Sequence, residues 1–241
     1  MRALRSSLAL AAFAFASACI AQVSPQASTT ALLGKHADFA HEQPGRDARH
    51  VADWVVDSGD SNRMPFVIID KTAAHVFVFD ADGHLRGSAA ALLGIAKGDH
   101  SAPGVGDREL SAIRVQDRTT PAGRFEAALG RNYHKKEILW IDYDAAISMH
   151  PVINTKPMER RPHRLATPTP LDNRISFGCV NVPIPFFETV ISPTFKTTSG
   201  IVYVLPEVSA LDKVFAMYDV DARALVLAKA VATATEFGTE Q

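Results

Sequence analysis

From position 65 onward the chain is written in short apolar runs cut by turn residues. Phe66-Val67-Ile68-Ile69-Asp70 is followed by Lys71-Thr72-Ala73, then by His75-Val76-Phe77-Val78-Phe79, with Asp82-Gly83 behind it. Runs of β-branched and aromatic residues between such turns predict strands joined as a meander. Leu85 to Leu93 reads as a third strand, although its alanines dilute the pattern. A loop with several glycines and Pro103 spans 94–106. Pro121 and Gly123 mark a tight turn. Phe125 to Leu129 opens another strand, Ile138 to Tyr143 alternates, and Ala146 to His150 reads as its neighbour. Pro183 and Pro185 introduce a short helix over Phe186 to Ile191, since proline is tolerated in a first helical turn. Gly200 to Leu205 is the clearest strand, and the spaced apolar residues from Leu211 to about Ala234 predict one or two terminal helices. The pattern therefore predicts a mainly β core with helices at its edge and end.

Two stretches depart from this texture. Residues 1–21 carry Arg2 and Arg5, an apolar run from Leu8 and small residues up to Ala21, the layout of a secretion signal. Ala16-Ser17-Ala18-Cys19 also fits a lipoprotein box, apart from Ala16 where leucine is usual. A lipid anchor at Cys19 thus stands beside plain cleavage after Ala18 or Ala21, and the expected location is the periplasm or cell envelope. Residues 22–63, opening with Ala, Ser, Thr, Gln and His, read as a linker or arm. The expected organisation is a signal (1–21), the arm (22–63), a catalytic domain (64–206) and a C-terminal helical extension (207–241).

Composition narrows the function. With 47% hydrophobic and 21% charged residues, the chain supports one domain with a sizeable core. The formal charge is −1, and 23 basic face 26 acidic side chains once Arg2 and Arg5 are set aside. That balance argues against a nucleic-acid partner. Beyond the N-terminus no run approaches the roughly 20 apolar residues of a membrane span.

The chemistry centres on Ser176-Phe177-Gly178-Cys179-Val180-Asn181. Cys179 is the one cysteine outside the first twenty residues. An unpaired thiol in an exported chain is either a small buried hydrophobe or a nucleophile. A nucleophile acts as the thiolate, and its free pKa of about 8.5 calls for a nearby histidine or cation. His150, at the end of a predicted strand, is the candidate base, with mid-loop His163 as competitor. Gly178 permits a tight turn, and backbone N–H groups of the loop are candidate oxyanion donors. The nine histidines show no metal-ligand spacing, and neither a C-x-x-C pair nor a phosphate-binding glycine loop occurs, so no metal or other cofactor is implied.

Taken in order, these residues resemble the L,D-transpeptidase catalytic (YkuD-like) domain of bacterial cell-wall enzymes, over about residues 64–206. The likeness runs through the first two strands and Asp82-Gly83, Thr120-Pro121-Ala122-Gly123 as T-P-x-G, His150 as the histidine of an H-G motif, Ser176 to Val180 as S-x-G-C-[IV], and Gly200 to Leu205 as the last strand. It implies a β-sandwich or open barrel and a thioester mechanism on peptidoglycan stem peptides. Cys179 would be the nucleophile, His150 the base oriented by a backbone carbonyl, and Ser176, Phe177 and Gly178 the nucleophile loop and oxyanion region. Thr120, Pro121, Gly123 and Asn181 become candidates for substrate binding. Two positions depart from the pattern. Asn181 stands where the family usually has arginine, and Pro151 where it has glycine. Arg160, Arg161 or Arg164, from the basic loop 151–174, is a candidate to supply the missing charge, and a solvated charged loop is the alternative. The acceptor can be an amine on another strand or an envelope protein, or water, which would make the chain a hydrolase. A non-catalytic wall-binding protein on the same scaffold is the third alternative.

Overall fold

The computed structural model describes residues 34–238. The expected export segment and Cys19 lie outside them. Among the described residues ten strands form: β1 (Phe66–Asp70), β2 (His75–Phe79), β3 (Leu85–Ala90), β4 (Leu93–Gly94), β5 (Gly123–Arg131), β6 (Glu137–Asp142), β7 (Ile147–Pro151), β8 (Arg174–Ser176), β9 (Val180–Val182) and β10 (Gly200–Val204). Eight of them make one sheet in the order β3-β2-β1-β10-β5-β6-β7-β9, while β4 and β8 pair separately. The fold is mainly β, as the run-and-turn pattern predicts.

The sheet curls until its ends nearly meet. Just past β3, Leu92 exchanges two backbone hydrogen bonds with Asn181 of β9, at 2.8 and 2.9 Å. The expected single strand over Leu85 to Leu93 is therefore two short ones. The chain leaves β2 after Ala90, touches β9 through Leu92, and then pairs with β8.

Both faces of the central strands are covered, which is why β1 and β10 read as unbroken apolar runs. Val67, Ile69, Val76, Val78, Val202 and Val204 point into the ring, against Leu139, Met149, Val180 and Val182. Phe186, Phe187, Ile191 and Phe195 pack there too. They belong to a helical segment built from Ile184–Phe186, a π turn at Phe187–Ile191, and Ser192–Phe195. Ile68, Phe66, Phe77, Ile201 and Tyr203 point outward into a second core.

That second core overturns part of the arm reading. Residues 46–58 form helix α1 (Arg46–Ser58), whose Val51, Trp54 and Val55 are buried against Tyr203 and Phe215. The i, i+3, i+4 spacing of those three residues is the physical cause. At about 1.5–3 kcal/mol for each large apolar side chain buried, the helix gains far more on the sheet than in water. The basic loop 151–174 also holds regular structure, including the short helix α2 (Arg161–Ala166). The C-terminal expectation is met by a turn of helix at Leu211–Val214 and by α3 (Val220–Gly238). Among the described residues no helix is long and apolar enough to cross a membrane.

Candidate active site

Strand alternation decides which side chains meet. In β7, Ile147 and Met149 enter the core, so Ser148 and His150 face out. In β9, Val180 and Val182 enter the core, so Asn181 faces out. The two strands are parallel neighbours with Met149 opposite Val180 and His150 opposite Asn181. This register puts His150 and Asn181 side by side and leaves Cys179, one residue before β9, beside Ser148.

The half-buried Cys179 Sγ lies 3.7 Å from Ser148 Oγ and 3.7 Å from the Ala146 carbonyl oxygen. Burial pushes the thiol up, but the neighbouring His150, with help from Ser148, outweighs it and leaves the thiol below its ordinary value. Burial likewise pushes the His150 imidazole down. The neighbouring Cys179 sulfur and the Pro151 carbonyl outweigh this, against opposition from Arg161, and leave the imidazole raised. His150 Nδ1 sits 2.8 Å from the Pro151 carbonyl oxygen. The ring of His150, the candidate base, is thus oriented by the backbone carbonyl of Pro151. His163, on α2, is exposed and makes no contact with Cys179 among those of the described residues.

The turn before Cys179 is held from inside. Ser176 Oγ donates to the Cys179 carbonyl (2.6 Å) and accepts the Gly178 N–H (3.0 Å). The Gly178 amide is thus already committed. Gly178 has φ +130°, and a Cβ there would lie 2.7 Å from Ile147 Cδ1 and 2.8 Å from the Thr119 carbonyl oxygen. Only glycine fits both the angle and the space. Phe177 is capped by the Arg118 guanidinium, 4.0 Å above its ring.

Several candidates for substrate contact have another position. Thr120 is fully buried; its hydroxyl donates to the Gly178 carbonyl (2.7 Å) and accepts the Gly94 N–H (2.9 Å). Thr120 braces the nucleophile turn from behind and presents no surface to a ligand. Pro121 is buried beside it, and Gly123, at φ +149°, begins β5. Asn181 is also buried, with its amide enclosed by protein groups. Its Oδ1 accepts from Arg161 Nη1 at 2.7 Å, and its Nδ2 lies 3.2 Å from His150 Nε2. Of the three loop arginines, Arg161 alone reaches this point, held by Glu159 Oε2 at 2.5 Å. Arg164 instead donates to the carbonyls of Glu159 and Asp172, and Arg160 is exposed in a left-handed turn.

Sequence reasoning passed over Ser148 and Lys71. Ser148 was readable, because it lies two residues before His150 on one face of a strand. Lys71 was read only as a turn residue; it is fully buried, and its ammonium donates to Asp99 Oδ1 (2.9 Å) and to the carbonyls of Gly98 (2.6 Å) and Thr120 (3.0 Å). Among the described residues one cluster has metal-like spacing, Asp80, Asp82 and His84 on the β2–β3 turn. Asp80 there accepts the turn's own N–H groups, which accounts for the arrangement.

No protein-family model matches the chain, and no curated protein matches it. Solved structures do. The helical cell shape determining protein Pgp2 of Campylobacter jejuni is similar at 17% identity, over 65% of this chain and 55% of that one, with a TM-score of 0.39. An L,D-transpeptidase of Xylanimonas cellulosilytica is similar at 14% identity, over 58% of this chain and 60% of that one, with a TM-score of 0.38. One from Mycobacterium smegmatis is similar at 12% identity, over 58% of each chain, with a TM-score of 0.33. The chain spans a little over half the length of each of these three. At identities and TM-scores this low, they assign no residue here.

Proposed function

We propose that the chain is an exported cysteine acyltransferase acting on peptidoglycan stem peptides. The observation that carries this reading is the register of two parallel strands, which sets a half-buried Cys179, on a glycine-dependent turn, next to the strand whose His150 is oriented by a backbone carbonyl. Such an arrangement suits acyl transfer, because the base needs one nitrogen anchored and the other unprotonated. The Cys179 thiol gives its proton to His150 Nε2, and the sulfur bonds to the carbonyl carbon of an amide joining an L to a D centre. The C–N bond of the tetrahedral adduct then breaks, the departing amine takes the proton from His150, and a thioester remains. An acceptor amine adds to that thioester, loses its proton through His150, and releases the thiol. Water in place of the amine would give hydrolysis by the same steps.

The test is intact-protein mass spectrometry after incubation with a tetrapeptide stem, for wild type, Cys179→Ser and His150→Ala. An acyl adduct on wild type alone is expected, with a loss on the order of 10³-fold or more in acylation rate for either variant. Adding an amine should convert the adduct to a new amide. A free acid despite the amine would replace transfer with hydrolysis. An unmodified Cys179 in a protein that still binds peptidoglycan would sink the catalytic reading. Iodoacetamide should alkylate wild type well below the free-thiol pKa of about 8.5, and His150→Ala should move that limb upward.

A further inference from the structure

The chain Glu159–Arg161–Asn181–His150 crosses from α2 and the turn before it to the outer face of β7 and β9. Its donor and acceptor order is forced. A guanidinium only donates, so the Asn181 atom facing Arg161 Nη1 at 2.7 Å is the carbonyl oxygen. The Asn181 amide nitrogen must then face His150 Nε2, at 3.2 Å. That nitrogen only donates, so Nε2 carries the lone pair and the ring proton sits on Nδ1. Nδ1 in turn faces the Pro151 carbonyl, which only accepts. Two independent constraints, one at each ring nitrogen, select the same tautomer.

We propose that Arg161 and Asn181 are positioning residues for His150, holding the imidazole protonated at Nδ1 and resting its Nε2 lone pair on the Asn181 N–H until it takes the Cys179 proton. Arg161 locks the amide, and Glu159 locks Arg161. The role rests on the proposed Cys179–His150 pair and extends it. When Nε2 holds the proton, the Asn181 N–H opposes it, and the arrangement favours passing that proton on to the departing amine. The charged or titratable groups acting on His150 are Cys179 on the nucleophile turn and Arg161 on α2, with Glu159 behind the latter.

The test uses Cys179→Ala as the parent, so that the thiol does not titrate together with the ring. ¹⁵N and ¹³C spectra of His150 then report tautomer and protonation midpoint without any substrate. The neutral ring of the parent should be protonated at Nδ1. Adding Asn181→Asp replaces a donor by an anionic acceptor, and should raise the proton affinity of His150 about tenfold or more. Arg161→Met, a change on the edge of α2, should raise it less and should populate both tautomers, while Arg161→Lys should restore the parental behaviour. A ring protonated at Nε2 in the parent would overturn the proposal. So would an unmoved midpoint in folded Arg161→Met protein, even if Asn181→Asp does not fold. Because no acyl group is involved, these results stand apart from the adduct experiment. A positioned His150 without an adduct would remove the acyltransferase reading alone.

Discussion

Two buried polar chains reach the nucleophile turn, and they differ in how they end. On the inner side, Lys71 is saturated by Asp99, Gly98 and Thr120. Asp99 also accepts the backbone N–H groups of Glu207, Val208 and Ser209, while Glu207 pairs with Arg174. This chain ends on a backbone carbonyl, that of Thr120, whose hydroxyl grips Gly178. On the outer side, the chain through Arg161 ends on a titratable nitrogen, His150 Nε2. Both combine a cation, a carboxylate and amide groups. The first, ending on a group that cannot change charge, only holds shape. The second ends on one that can change charge, and on the proposed reading it sets when a proton moves.

The largest way to break this contrast is Lys71→Met. It leaves Asp99 and Glu207 buried without their ammonium, and should cost about 3–5 kcal/mol in urea denaturation. In the folded fraction, the pH midpoint of Cys179 alkylation should stay where it is; a shifted midpoint would mean that the inner chain also tunes the site. Gly178→Ala should cost about 1–3 kcal/mol, from a strained φ and a Cβ driven onto the Thr119 carbonyl. It should also slow alkylation, because the turn itself is displaced. Thr120→Val keeps the volume but strips two buried partners, Gly94 N–H and the Gly178 carbonyl, at about 1–3 kcal/mol. Unchanged stability there would separate the two chains altogether.

Acid sharpens the contrast last and least. Burial pushes the Asp99 carboxyl up, but Lys71 and the backbone N–H groups outweigh it and hold it far below the ordinary carboxylate range. A depressed folded value contributes stability that is present above the unfolded pKa, about 3.9, and lost as pH falls below it. Wild type should therefore lose stability mainly below about pH 4. Lys71→Met should show a weaker dependence there, measurable as a flatter curve of denaturation midpoint against pH.

The sheet was legible because its strands are runs of β-branched and aromatic residues cut by turns such as Asp82-Gly83. The placing of Cys179 on a tight turn and of His150 at a strand end was legible because Cys179 follows a glycine and His150 closes an alternating strand. Helix α1 was less so: Val51, Trp54 and Val55 have helical spacing, but the polar residues around them suggested an arm. The role of Thr120 was hidden, because a T-P-x-G turn reads the same whether it faces a ligand or a neighbouring loop. The reach of Arg161 was hidden for a different reason. Three arginines lie within five positions, and only the path of α2 across β9 decides which one meets Asn181.

The backbone pair between Leu92 and Asn181 has a consequence for the order of events during folding. Asn181 joins the two ends of the curled sheet with its main chain while its side chain touches the base. These ends lie 89 residues apart in the sequence, so the contact is of the non-local kind that forms late. On the proposed acyltransferase reading, Cys179 stays an ordinary thiol until this contact forms, mostly protonated at neutral pH. On that reading the closure that completes the fold also arms the thiol, and an unfinished chain stays chemically quiet.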